Sequence, residues 1–174
     1  LLRRDIVQIV SGIRANPKIR ELSLTTNAQM LAEVAAGLKQ AGLDRVNISL
    51  DSLKPDVFQQ MTGGDLEKVK AGIKASIDEG LNPIKINVVL VRGWNDLEVD
   101  DFIDLTKDHA LDVRFIEYMP IGEGSRSEFL RVDNSKILEE HPSLQPVPPR
   151  NPGQPSRDFQ IPGYKGRVGF ISPI

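Results

Sequence analysis

Strict alternation in one short stretch sets the tightest limit on what this chain can fold into. Across 45–51 the apolar residues Val46, Ile48 and Leu50 take turns with the polar residues Asn47, Ser49 and Asp51. Successive side chains of an extended strand point to opposite faces, so this strand has one apolar face and one face equipped for chemistry. A helical run closing at Ala41, Gly42 and Leu43 precedes it. The same order returns later: a helical run, then Glu79, Gly80 and Leu81, then an apolar-rich strand over 83–90. Gly42 and Gly80 lie 38 positions apart (80 − 42), about the size of a βα unit.

The rest of the chain fits that rhythm. Ile6, Ile9, Val10 and Ile13 predict an amphipathic helix over 1–16, which Asn16 and Pro17 stop. A strand is expected over 21–25, with Leu22 and Leu24 on one side and Ser23 and Thr25 on the other. Helices follow at 30–40, 55–61 and 65–79, the second with Ser52 as its expected cap and the third with Asp65. A loop at 92–96 leads to a helix over 97–109, and 112–117 is a strand. Beyond Gly122 the character changes: a loop, a short helix over 134–140, then 141–162, which carries prolines 142, 146, 148, 149, 152, 155 and 162. Proline removes a backbone donor, so that segment is expected to be an extended connector without helix. A last strand is expected at 167–172, which divides the chain into a portion of a barrel (1–120) and a connecting region (121–174).

With 174 residues the chain can bury about 70% of the surface its unfolded form exposes, enough for a real core. A net charge of −2 leaves no basic footprint for nucleic acid or an anionic membrane. No apolar run is long enough to span a bilayer and no basic-then-apolar leader opens the chain, so a soluble, cytoplasmic protein is expected. Cysteine is absent, which excludes disulfides, thiolate nucleophiles and any cysteine-ligated metal within these residues.

Strands joined by helices are normally parallel, and parallel strands covered on both faces read as continuously apolar. These alternate instead. Thr25, Ser49, Lys85 and Arg114 fall on the polar parity of four successive strands. The expected fold is therefore α/β, a partial (β/α) barrel of parallel strands whose polar faces line a lumen, with chemistry near the strand C-terminal ends. The competing fold is an α+β sheet with a wet polar face. Lys85 suits a phosphate or a Schiff base, or else is an edge-strand lysine reaching solvent. Arg114 suits a carboxylate or phosphate, or pairs structurally with Asp51 or Glu117. Ser49 and Asp51 have no histidine partner in sight, so no serine triad is assembled. His109 and His141 read as surface residues, and 122–125 is only a weak phosphate-loop signal.

Five ordered segments carry a family likeness: 1–5 (LLRRD), 24–27 (LTTN), 45–53 (RVNISLDSL), 85–87 (KIN) and 114–119 (RFIEYM). With them the chain resembles the molybdenum cofactor biosynthesis protein A family, radical S-adenosylmethionine enzymes that act as GTP 3′,8-cyclases. The resemblance runs from Leu1 to Ile174, tail included. It implies a lyase that uses S-adenosylmethionine radical chemistry to convert GTP to (8S)-3′,8-cyclo-7,8-dihydroguanosine 5′-triphosphate, in a barrel of the radical S-adenosylmethionine type. By motif position Thr25 and Lys85 look like GTP-contacting residues, and Ser49 and Met119 like S-adenosylmethionine-contacting ones. Arg114 is a further candidate. The family's partners are GTP, S-adenosylmethionine, an electron donor and, in a homodimer, a second copy.

The same resemblance implies two [4Fe-4S] clusters, with a CxxxCxxC loop before Leu1 and further cysteines after Ile174. The chain is expected to be the central piece of such an enzyme, holding no metal ligand and inactive alone. Ala28 stands where the family usually has glycine after Thr26 and Asn27. Two other readings stay open: a Schiff-base or phosphate-handling barrel enzyme centred on Lys85, and a non-catalytic nucleotide-binding domain.

Overall fold

Short alternating strands separated by amphipathic helices produce an α/β chain, described by a computed structural model over residues 3–119, 128–151 and 153–172. The helices are α1 (Ile6–Arg14), α2 (Leu31–Gln40), α3 (Pro55–Thr62), α4 (Leu66–Asp78), α5 (Val99–Asp108) and α6 (Asn134–Glu140). The strands are β1 (Ser23–Thr26), β2 (Arg45–Ser49), β3 (Ile84–Leu90), β4 (Leu111–Glu117), β5 (Gln145–Pro146), β6 (Arg157–Gln160) and β7 (Arg167–Ile171). Among the described residues they follow the order β1-β2-β3-β4-β7-β6-β5 in a sheet that does not close, in keeping with the expected partial barrel.

The chain forms two compact units, one of Leu1–Leu50 with Lys54–Lys85, the other of Asp51–Leu53 with Ile86–Ile174. In the first, β1 and β2 run parallel with Thr25 opposite Asn47. Val46 and Ile48 are fully buried while Asn47 and Ser49 are half-buried, as the alternation requires. Helix α2 packs on both α1 and α4. The two glycines of the repeat end α2 and α4 in the same way, at φ +96° and +66°. Each closes a doubly bonded left-handed cap: Leu43 donates to the Leu38 carbonyl and Gly42 to Lys39, as Leu81 donates to Ser76 and Gly80 to Ile77. Ala28 also has positive φ, at +59°, the left-handed conformation for which glycine is better suited.

In the second unit β4 pairs in parallel with β7, with Phe115 opposite Phe170. Phe102 of α5 meets Phe115 edge-on and Phe115 lies tilted against Phe170, with centroids 6.2 and 5.7 Å apart, and Phe159 of β6 meets Phe170 edge-on at 5.5 Å. The final strand is therefore a parallel neighbour of β4, and the proline-rich connector does more than span a gap. Two short antiparallel strands, β5 and β6, form within it, with β6 against β7 and β5 against β6. Arg150 of the connector also holds the nearly buried Asp112 through bonds of 2.9 and 3.0 Å.

Some local expectations shift. Asp65 does cap α4, accepting the Glu67 N–H, but Lys54 occupies the cap position of α3 and Ser52 points elsewhere. The helix expected from residue 97 begins as a tight 3-10 turn at Asp96–Glu98. No helix among the described residues is long and apolar enough to cross a membrane.

Candidate functional site

On the polar face of the β1–β2 pair the side chains form a connected row. Glu21 accepts from Arg45 Nε at 2.7 Å, Arg45 Nη1 donates to Asn47 Oδ1 at 3.1 Å, and Asn47 Nδ2 donates to Thr25 Oγ1 at 3.2 Å. Ser49 lies two residues beyond Asn47, on the same face by strand period. Thr25 and Ser49 thus share one surface, Thr25 exposed and Ser49 half-buried. Lys85 is only 7% exposed, between the fully buried Ile84 and Ile86. That burial removes the reading of Lys85 as a lysine reaching solvent, and a desolvated ammonium there needs anionic or dipolar company.

In the second unit Arg114 Nε donates to Asn87 Oδ1 at 2.9 Å. Glu117, one of the two carboxylates considered for Arg114, is held by Arg131 at 2.7 Å. Asp51, the other, accepts the Val89 N–H at 2.9 Å. Its burial raises the carboxyl above the ordinary range, against the downward pull of that bond. Met119, two residues past the end of β4, is 47% exposed. His109 is exposed, whereas His141 is drawn in, its ring nitrogens 2.7 Å from the Ile137 carbonyl and 2.8 Å from Asp100. The glycine-rich residues 122–125 lie outside the described residues.

Two polar knots went unmarked in the sequence reading. Asn95, fully buried, donates to the carbonyls of Asp51 and Val89 and accepts the Val91 N–H. Glu98, also fully buried, accepts the Ser52 hydroxyl and the Leu53 N–H. Ser52, expected as a helix cap, donates to this carboxylate, and Lys54 stands at the cap position. The available signal was slight: Asn95 sits in a polar loop and Glu98 in the tight turn that opens the next helix, where nothing in the spacing shows burial. Asn47 and Asn87 were legible, because both fall on the polar alternation beside predicted site residues.

No group of three or more His, Cys, Asp or Glu side chains among the described residues is arranged to hold a metal ion. The arrangement offers hydroxyls, amides and cations, chemistry suited to binding phosphates, riboses and amino-acid groups.

Comparison with known proteins gives this a frame. The profile of the Radical SAM superfamily matches residues 1–106. A protein named GTP 3′,8-cyclase from Listeria monocytogenes serovar 1/2a is 48% identical over 180 residues, covering 100% of this chain and 54% of the relative. Proteins of the same name from Alkaliphilus oremlandii and Petrotoga mobilis are 46% and 44% identical, each match covering 100% of this chain and 55% of the relative. The chain therefore spans about half the length of the curated relatives it matches.

Proposed function

The chain belongs to the Radical SAM superfamily, and on that premise we propose that it is the central part of a GTP 3′,8-cyclase, a lyase of molybdenum cofactor biosynthesis. The observation that carries this reading is similarity along the whole chain to proteins of that name. Neither a Schiff-base enzyme centred on Lys85 nor a non-catalytic nucleotide-binding domain has comparable support.

In this reading the chain's own residues bind and orient two ligands. Lys85 supplies positive charge to the GTP triphosphate, in a place where burial strengthens the attraction. Thr25 offers its hydroxyl to the nucleotide, with Asn47 fixing its direction. Ser49 takes a polar group of S-adenosylmethionine, Met119 packs against its adenine, and Arg114, steered by Asn87, adds a further cation for GTP. Two [4Fe-4S] clusters accompany such an enzyme, but the 174 residues hold no cysteine and do not fit either. An electron donor, a homodimeric state and a cytoplasmic location belong to the same proposal.

The test uses the full-length parent, assayed anaerobically with reductant, S-adenosylmethionine and GTP. Formation of 5′-deoxyadenosine together with cyclised guanosine triphosphate is expected; neither product forming overturns the reading. Lys85→Ala is expected to weaken GTP binding about ten-fold, the loss of one charge-assisted contact, with a smaller effect on S-adenosylmethionine. Equal losses for both ligands count against the assignment of Lys85.

A further inference from the structure

Glu117 is the last residue of β4 and only 2% exposed. A carboxylate so placed gives up most of its hydration and is tolerated only where donors surround it. They do. Arg131 reaches Oε2 through Nε at 3.0 Å and Nη2 at 2.7 Å, while Oε1 accepts the Asn134 N–H at 3.1 Å and the Ser172 hydroxyl at 2.9 Å. Asn134 in turn donates through Nδ2 to the Ile171 carbonyl at 3.1 Å and to Ser172 at 3.2 Å, so the ends of β4 and β7 are fastened together.

Arg131 is itself tied down by its backbone. It forms a bridge with Val91, and its carbonyl accepts from Arg92 Nη2 at 3.1 Å. Arg131 stands 14 positions after Glu117, so their pairing joins the point where the chain leaves β4 to a point much further along. Met119 lies two residues past Glu117 on the outgoing side. Nearly half of it is exposed, so burial does little to hold it in place.

We infer that the Glu117–Arg131 pair is a positioning device for the S-adenosylmethionine contact at Met119. It holds the end of β4 so that Met119 is presented in one orientation. This rests on the proposed role of Met119 and adds two residues to it that touch no ligand themselves. A purely structural pair would lower the stability of the protein and affect both ligands alike. A positioning pair weakens one ligand selectively.

Arg131 is the better residue to change, because its side chain is 41% exposed and its loss leaves the Asn134 and Ser172 bonds to Glu117 in place. The full-length parent, reconstituted anaerobically, is compared with its Arg131→Ala and Arg131→Lys variants by equilibrium binding of S-adenosylmethionine and, separately, of GTP. Arg131→Ala is expected to weaken S-adenosylmethionine binding roughly ten-fold, as small misplacements of a contact do, with GTP binding changed less than about two-fold. Arg131→Lys, which keeps one cation facing Glu117, is expected to recover part of the loss. Unchanged S-adenosylmethionine affinity in Arg131→Ala, or equal loss for both ligands, overturns the inference while leaving the proposed function standing. A wild-type parent that binds no S-adenosylmethionine overturns the function and this inference together.

Discussion

Asp51 carries its carboxyl into a partly dry place, where it accepts the backbone N–H of Val89. Burial wins over that bond, so the folded chain holds the proton at pH values where the unfolded chain, near the ordinary value of 3.8, has released it. The resulting stabilisation is complete below the unfolded value and is lost as pH rises through the raised folded one. Asp51→Asn keeps an acceptor for Val89 and removes the charge. Its urea midpoint is expected to exceed that of wild type at pH 7, with the advantage narrowing as pH falls toward 4. An advantage that does not change with pH would show that ionisation is not the cause. Lys85 presents the complementary case of a buried cation. The sequence showed a lysine between two isoleucines but left open whether it faced solvent, since alternation assigns a side of the strand without saying what covers that side.

Elements here are joined by polar knots as much as by apolar packing. Asn95, in the loop after β3, ties that loop to the ends of two segments through the Asp51 carbonyl, the Val89 carbonyl and the Val91 N–H. Replacing it with alanine leaves these backbone groups without that partner in a fully buried setting, and Asn95→Ala is expected to cost about 3 kcal/mol in chemical denaturation. A cost below about 1 kcal/mol would mean that water replaces the amide. The caps that close α2 and α4 are the opposite sort of feature. They depend on glycines at one place in a repeated run, and Gly42 and Gly80 are readable as helix ends from the sequence alone. The β5–β6 pair was not readable. Its two strands lie in a proline-rich stretch, and Phe159 becomes strand by pairing with Val168 of β7 on one side and Pro146 of β5 on the other.

At the scale of the whole molecule, the 174 residues are expected to release no 5′-deoxyadenosine from S-adenosylmethionine, because without a cysteine they have no thiolate to anchor a cluster. Anaerobic assay of the isolated chain with reductant and GTP checks this, and product above the blank would refute it. What residue order determined unaided was the α/β alternation, the helix ends at Gly42 and Gly80, the common face of Thr25 and Ser49, and the absence of cluster ligands. All of these follow from spacing between near neighbours or from composition, which a linear string records completely. Only the tertiary structure decided that β7 lies beside β4, that Lys85 is buried, that Ser52 serves Glu98 rather than a helix, and that Glu117 is matched to Arg131 and Ser172. Each of those depends on which distant segments meet, and hydrogen-bond partners separated by tens of residues leave no periodic trace along the chain.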